Sequence, residues 1–133
     1  MGESSNVEVV QQAYAAFGRG DIAALLDTFS NDIDWETPGA PRVPYGGHYA
    51  GREDVARFFE ELGKTAEFER FEPREFVAQG DKVVALGHYA GRGRNTGRPF
   101  ATDWAMVFTV RNGKIVVFRE YFDTANLGAA FSA

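Results

Sequence analysis

The chain reads as an α+β protein in which helices cover one face of a curled, mainly antiparallel sheet. Three observations predict this. Apolar residues recur at helical spacing in the first half, over Val10, Ala13, Tyr14 and Phe17 and again over Val55, Phe58, Phe59 and Leu62. In the second half they alternate with period two, as in Trp104, Met106, Phe108 and Val110. The turn pairs Gly80-Asp81 and Asn112-Gly113 separate such runs and make hairpins of them. Helices followed by hairpins pack as two layers, and a strongly bent sheet leaves a hollow between them.

Ser5 with Glu8 forms a capping-box pattern, so the first helix is placed from about Val7 to Phe17. Gly18 and Gly20 stop it, and Asp21 is placed to cap a short second helix with Ile22, Leu25, Leu26 and Phe29 inward. Ser30 to Asp32 turn the chain into a strand over about Ile33 to Thr37, which Pro38 and Gly39 end. From Gly39 to Gly51 there is no periodicity, and a Pro/Gly/Tyr segment of this length reads as a lid or mobile loop. Tyr45, His48 and Tyr49 sit in it, placed to close the mouth of a pocket. A third helix follows from Arg52 to about Thr65, then strands over about Phe68 to Ala78, Lys82 to Gly91, Pro99 to Arg111 and Lys114 to Phe122. Asp123 opens a short terminal helix as its cap. There is no repeat, and residues 1–133 read as a single domain.

Composition narrows the function classes. A formal charge of -5 speaks against a nucleic-acid footprint, and the Arg92, Arg94 and Arg98 cluster reads as a solvated hairpin rather than a phosphate site. Without cysteine there is no disulfide, thiolate catalysis or Cys-ligated metal. The two histidines, His48 and His88, have no ligand spacing, so no metal and no cofactor is expected. The N-terminus lacks a secretory pattern, and no apolar run approaches the ~20 residues of a membrane helix, so a cytoplasmic protein is expected.

The row Val116, Phe118, Glu120, Phe122 on the last strand carries the chemistry. Residues two apart share a face, so a carboxylate interrupts an apolar row. Either it sits at the open rim, solvated or paired with Arg119 or another arginine, or it projects into the hollow, where desolvation raises its pKa toward neutral and suits it to general acid or base work. Placing Val84, Leu86, His88 and Ala90 inward on their strand brings His88 toward the same interior, as a proton-exchange partner, a carbonyl polariser or an ordinary hydrogen-bonded core histidine. Asp103 falls on the face opposite Trp104 and Met106, so surface exposure is expected unless a bulge reverses it. Tyr14 packs in the helix layer with its hydroxyl within reach of the hollow. Glu120 and His88 are thus the first catalytic candidates, with Asp103 and Tyr14 behind them. Phe17, Trp35, Thr37, Phe58, Phe59, Leu86, Trp104, Met106, Phe118 and Phe122 are the expected lining for an apolar ligand, unless they fill the hollow completely.

The stretches VVQQAYAAFGRGDIAALLDTFSNDIDWETPG, YAGREDVARFFEEL and FTVRNGKIVVFREYFDTANL resemble the SnoaL-like branch of the nuclear transport factor 2-like superfamily, which also holds ketosteroid isomerases. The resemblance covers nearly the whole chain. It implies a cone in which a bent sheet wraps three helices around an internal pocket, usually dimeric through the sheet. It implies no one activity, because the same cone hosts isomerases, cyclases, hydrolases and non-catalytic modules. The isomerase positions fall on Ala13, Thr37 and Met106, so the usual isomerase groups are absent. The acid of SnoaL-like cyclases falls on Glu120, while their assisting histidine falls on Met106. Two expectations follow: a small cofactor-free acid/base enzyme acting on an apolar carbonyl or cyclic compound by isomerisation, cyclisation or hydrolysis, or a non-catalytic ligand-binding or dimerisation module.

Overall fold

The computed structural model describes residues 2–132. In chain order the elements are α1 (Glu3–Gly18), α2 (Ile22–Asp27), β1 (Phe29–Thr37), β2 (Gly47–Ala50), α3 (Arg52–Thr65), β3 (Ala66–Gln79), β4 (Lys82–Gly93), β5 (Pro99–Arg111), β6 (Lys114–Phe122) and α4 (Thr124–Phe131). The strands form one sheet in the order β2-β1-β6-β5-β4-β3. Three hairpin-linked antiparallel pairs carry the chain from β3 to β6, and β6 returns parallel to β1. Helix α1 lies across β3, β4 and β5, and α3 lies against β1, β2 and β3. Register shifts at Phe68/Arg70 and Pro73/Glu75 interrupt the long β3–β4 ladder. Such bulges bend the strand and increase its twist, and the sheet curls around the helices without closing.

Turn chemistry holds the hairpins as the sequence indicates. Asn112 and Gly113 both take positive φ, 53° and 75°, the geometry that matches the twist of flanking strands. Asp21 accepts from the Ala24 N–H and Asp123 from the Asn126 N–H, capping α2 and α4.

Two local expectations are corrected. Helix α1 begins at Glu3 with Gly2 as its cap residue and no side-chain cap bond, so Ser5 and Glu8 lie inside the helix and form no capping box. Tertiary anchoring accounts for the extra turn: the Glu3 carboxylate accepts from the Gly80 N–H at 2.8 Å, and the Asn6 amide donates to the Gly80 carbonyl at 3.3 Å. The segment after Pro38 is not an exposed lid. Its Gly47–Ala50 stretch is edge strand β2, paired with β1, and Val43 and Tyr45 are buried in the core.

The direction of β4 also differs from the expectation, with consequences for the site. Val83, Ala85, Gly87, Tyr89 and Gly91 face inward, and Val84, Leu86, His88 and Ala90 face out. A period-two strand with apolar residues on both faces does not fix its own orientation; the aromatic rings of β5 fix it here. A Cβ on Gly87 would stand 2.4 Å from the Trp104 ring, and one on Gly91 would stand 2.0 Å from the Glu67 carbonyl and 3.0 Å from the Phe100 ring. The two glycines make room for Trp104 and Phe100 and leave Tyr89 between them as the inward side chain.

Candidate functional site

Glu120 is 6% exposed on the inner face of β6. Arg119 points to the other face, where it pairs with Asp34 at 3.1 Å and holds that carboxyl below its ordinary pKa, with His48 adding to the effect. The alternation of side chains along the strand thus separates Glu120 from its adjacent cation. Two hydroxyls hold the carboxylate instead: Thr37, at the end of β1, donates to Oε1 at 3.2 Å, and Tyr89, from β4, donates to Oε2 at 3.0 Å. Glu120 has no cation among its hydrogen-bond partners in the described residues. Burial is therefore the dominant influence and pushes its pKa up from 4.5 to about 7, while the hydrogen bonds from Tyr89 and Thr37 pull it the other way. Replacing Tyr89 by Phe removes one of those bonds, so the Glu120 midpoint is expected to rise above the wild-type value. A carbon-detected NMR titration of the two proteins checks this, and an unchanged or lower midpoint contradicts it.

The carboxylate borders a cavity of about 60 Å³ whose other walls are almost entirely apolar. That is room for a few waters; a six-membered ring, which needs a cavity of about 150 Å³, enters only as side chains of the wall move. Trp35 and Phe118, parallel neighbours on β1 and β6, stack with ring centroids 3.7 Å apart. Phe17 from α1 and Phe58 and Phe59 from α3 close the helical side, and Met106 stands directly across the β5–β6 ladder from Glu120. Tyr14 also lines the cavity, its hydroxyl donating to the Met106 sulfur at 3.1 Å. Burial, and then the Glu120 charge, raise the pKa values of Tyr14, Tyr45 and Tyr89, so all three phenols are neutral donors at ordinary pH.

Of the other expected lining residues, Thr37 acts through its bond to Glu120 rather than as wall. Trp104 is buried behind the wall, packed on Tyr14, Phe71 and Tyr89, and Phe122 is half-buried with its ring 6.3 Å from that of Tyr89. Leu86 is corrected: it is 37% exposed on the outer face. His88 is corrected with it. Its Nδ1 lies 2.9 Å from Asp103 Oδ1 across the outer face of β4 and β5, so the two form a surface pair and neither meets Glu120. Sequence reasoning missed Tyr89, and it put Tyr45 at the mouth of the pocket rather than in its wall. The Gly87-x-Tyr89-x-Gly91 alternation was the available signal for Tyr89, since paired glycines on one strand face mark close approach of bulky groups. Tyr45 had no periodic signal, lying in a segment without regular structure.

The positions aligned with the isomerase groups gather around this acid: Ala13 and Met106 line the cavity, and Thr37 is bonded to Glu120. Comparisons with known proteins agree with the geometry. The SnoaL-like domain family matches residues 10–118. An NTF2-like protein of Burkholderia xenovorans LB400 is similar at 38% identity, covering 99% of each chain with a TM-score of 0.91. TerC, co-crystallized with polyporic acid, is similar at 27% identity and a TM-score of 0.86, over 97% of this chain and 99% of its own. An uncharacterized protein of Mycobacterium tuberculosis shares 24% identity over 92% of each chain. A match running from the first helix to the last strand of the sheet makes this chain a member of the SnoaL-like domain family.

Proposed function

We propose that the protein binds a small, uncharged, hydrophobic carbonyl or cyclic compound and catalyses its isomerisation, cyclisation or hydrolysis without a cofactor, with Glu120 as the general acid/base. The single observation that carries this reading is a carboxylate buried in an apolar cavity and poised at about 7. Near neutral pH, both its forms are populated, so it can take a proton from one carbon and return it to another. In such an isomerisation Glu120 breaks a C–H bond beside the carbonyl, the electron pair becomes the C=C bond of an enolate, and the protonated Glu120 delivers its proton to a different carbon. Among the described residues no Lys, Arg or His lines the cavity to offset an anion beside an ionised Glu120. TerC, at 27% identity, was crystallised with polyporic acid, which supports a small-molecule ligand for this chain.

The experiment is hydrogen–deuterium exchange of 2-cyclohexenone in deuterated buffer, followed by proton NMR. Protein-catalysed exchange beside the carbonyl is expected, rising with pH to half its maximum near 7, because the ionised form is the base. Exchange no faster than buffer, or equal in Glu120→Gln, contradicts the catalytic role.

A non-catalytic binding module is the second reading. Its supporting observation is that both Glu120 oxygens already hold hydroxyl donors. Binding of cyclohexenone without exchange is its outcome.

The proposed partner is a second copy of this chain, in a cytoplasmic setting. On the outer sheet face Leu86, Ala105 and Tyr121 stand in register across β4, β5 and β6, with Leu86 37% and Tyr121 57% exposed. The Asp34–Arg119 and His88–Asp103 pairs lie on the same face. Sedimentation is expected to give a dimer that Tyr121→Asp converts to a monomer; a wild-type monomer contradicts it.

A further inference from the structure

Three tyrosines line the cavity, and their hydroxyls are not equivalent. Tyr89 donates to Glu120, and Tyr14 donates to the Met106 sulfur. Tyr45 is 2% exposed, and its hydroxyl is buried with no hydrogen-bond partner among the described residues. A buried phenol left without a partner is costly, and the surrounding structure holds this one firmly. The Tyr45 ring packs edge-on against Phe58 and Phe131, at centroid distances of 5.8 and 5.6 Å. Its carbonyl accepts from the Tyr49 hydroxyl at 2.8 Å. Tyr45 and Glu120 both line the cavity. A second unpartnered donor, Trp35 Nε1, belongs to another residue of the cavity wall.

The polar inventory of the cavity is therefore one carboxylate, two phenols already committed, and donors still free at Tyr45 and Trp35. We propose that the Tyr45 hydroxyl is the anchor for an acceptor oxygen on the ligand, a ketone or similar neutral carbonyl. This rests on the reading of the cavity as a ligand site and adds to it the residue that holds the ligand's oxygen. The rigid ring fixes the donor before the ligand arrives, so little ordering is needed on binding.

The test compares 2-cyclohexenone with cyclohexene, a ring of similar size lacking the oxygen, by ligand-observed NMR titration against wild type, Tyr45→Phe, Trp35→Phe and Glu120→Gln. Wild type is expected to prefer the ketone by about tenfold, the factor a single good hydrogen bond supplies. Tyr45→Phe should abolish the preference, while Trp35→Phe and Glu120→Gln keep most of it. An undiminished preference in Tyr45→Phe overturns the assignment alone, leaving the cavity reading in place, and transfer of the loss to Trp35→Phe does the same. Failure of wild type to bind either compound overturns the ligand site and this inference together. Binding with a Tyr45-dependent preference but no exchange supports the inference while removing the catalytic reading. The infrared carbonyl stretch of cyclohexenone bound to wild type gives a readout independent of any variant's folding. It is expected below its frequency in hexane, and an unshifted stretch overturns the proposal.

Discussion

Glu120→Gln is expected to lower catalysed exchange of an enolisable ketone by about 10²–10⁴-fold, the usual contribution of a positioned acid or base, while making the protein more stable at alkaline pH. Gln keeps the shape of the side chain and an oxygen for Thr37 or Tyr89, but cannot carry charge. The stability effect follows from linkage. The Glu120 pKa is about 7 in the folded protein against an ordinary 4.5, so the folded state holds the proton more tightly than the unfolded chain. The stability this gives is fully present below 4.5 and is lost as pH rises through about 7. At about 1.4 kcal/mol per pH unit, the loss reaches about 3 kcal/mol above the folded midpoint. Urea unfolding of the two proteins should therefore coincide near pH 4 and separate by that order at pH 8.5, with the variant the more stable. Equal stabilities at both pH values contradict a buried, ionisable Glu120. Loss of activity without this crossover would mean that Gln disturbs the site in some other way.

The second large effect is expected at Phe118. Its ring is 2% exposed, stacks on Trp35 at 3.7 Å and meets Phe108 edge-on at 5.2 Å. Phe118→Ala removes the ring shared by the β1 and β6 walls, and large-to-small changes of this kind cost about 3–5 kcal/mol. Denaturant unfolding followed by tryptophan fluorescence checks it, and a cost below about 1 kcal/mol contradicts a tightly packed wall. The enlarged cavity should also admit ligands bulkier than cyclohexenone. If Phe118→Ala instead leaves the cavity's ligand range unchanged, the ring is not part of the boundary.

These two residues were legible in the sequence because β6 alternates over its second half, where Phe118 and Glu120 share a face and Arg119 takes the other; a register shift nearer its start buries Ile115 and leaves Val116 of the expected row half-buried. The elements with strong signals, such as α3, the Asn112-Gly113 hairpin and the caps at Asp21 and Asp123, stand close to where local chemistry places them. Strand β4 was different. Its sequence places apolar groups on both faces, so local alternation gives no preferred side, and the choice was made by rings on β5 that need the space at Gly87 and Gly91. That inversion moved His88 out to Asp103 and brought Tyr89 in to Glu120. The start of α1 depended likewise on a contact with Gly80, distant in sequence. Tyr45 is held by packing against α3 and α4, which no local pattern in an irregular segment can reveal. The acid was thus readable from one strand, whereas its hydroxyl partners depend on the register of the whole sheet.

The Glu120 carboxyl is buried beside an apolar cavity and, among the described residues, is held by hydroxyls alone. The most direct measurement is a ¹³C NMR titration of the glutamate side-chain carboxyls, with the Glu120 resonance assigned by its absence in Glu120→Gln. A midpoint near 7 is expected. A midpoint at the ordinary 4.5 would place the carboxylate in water and contradict the account.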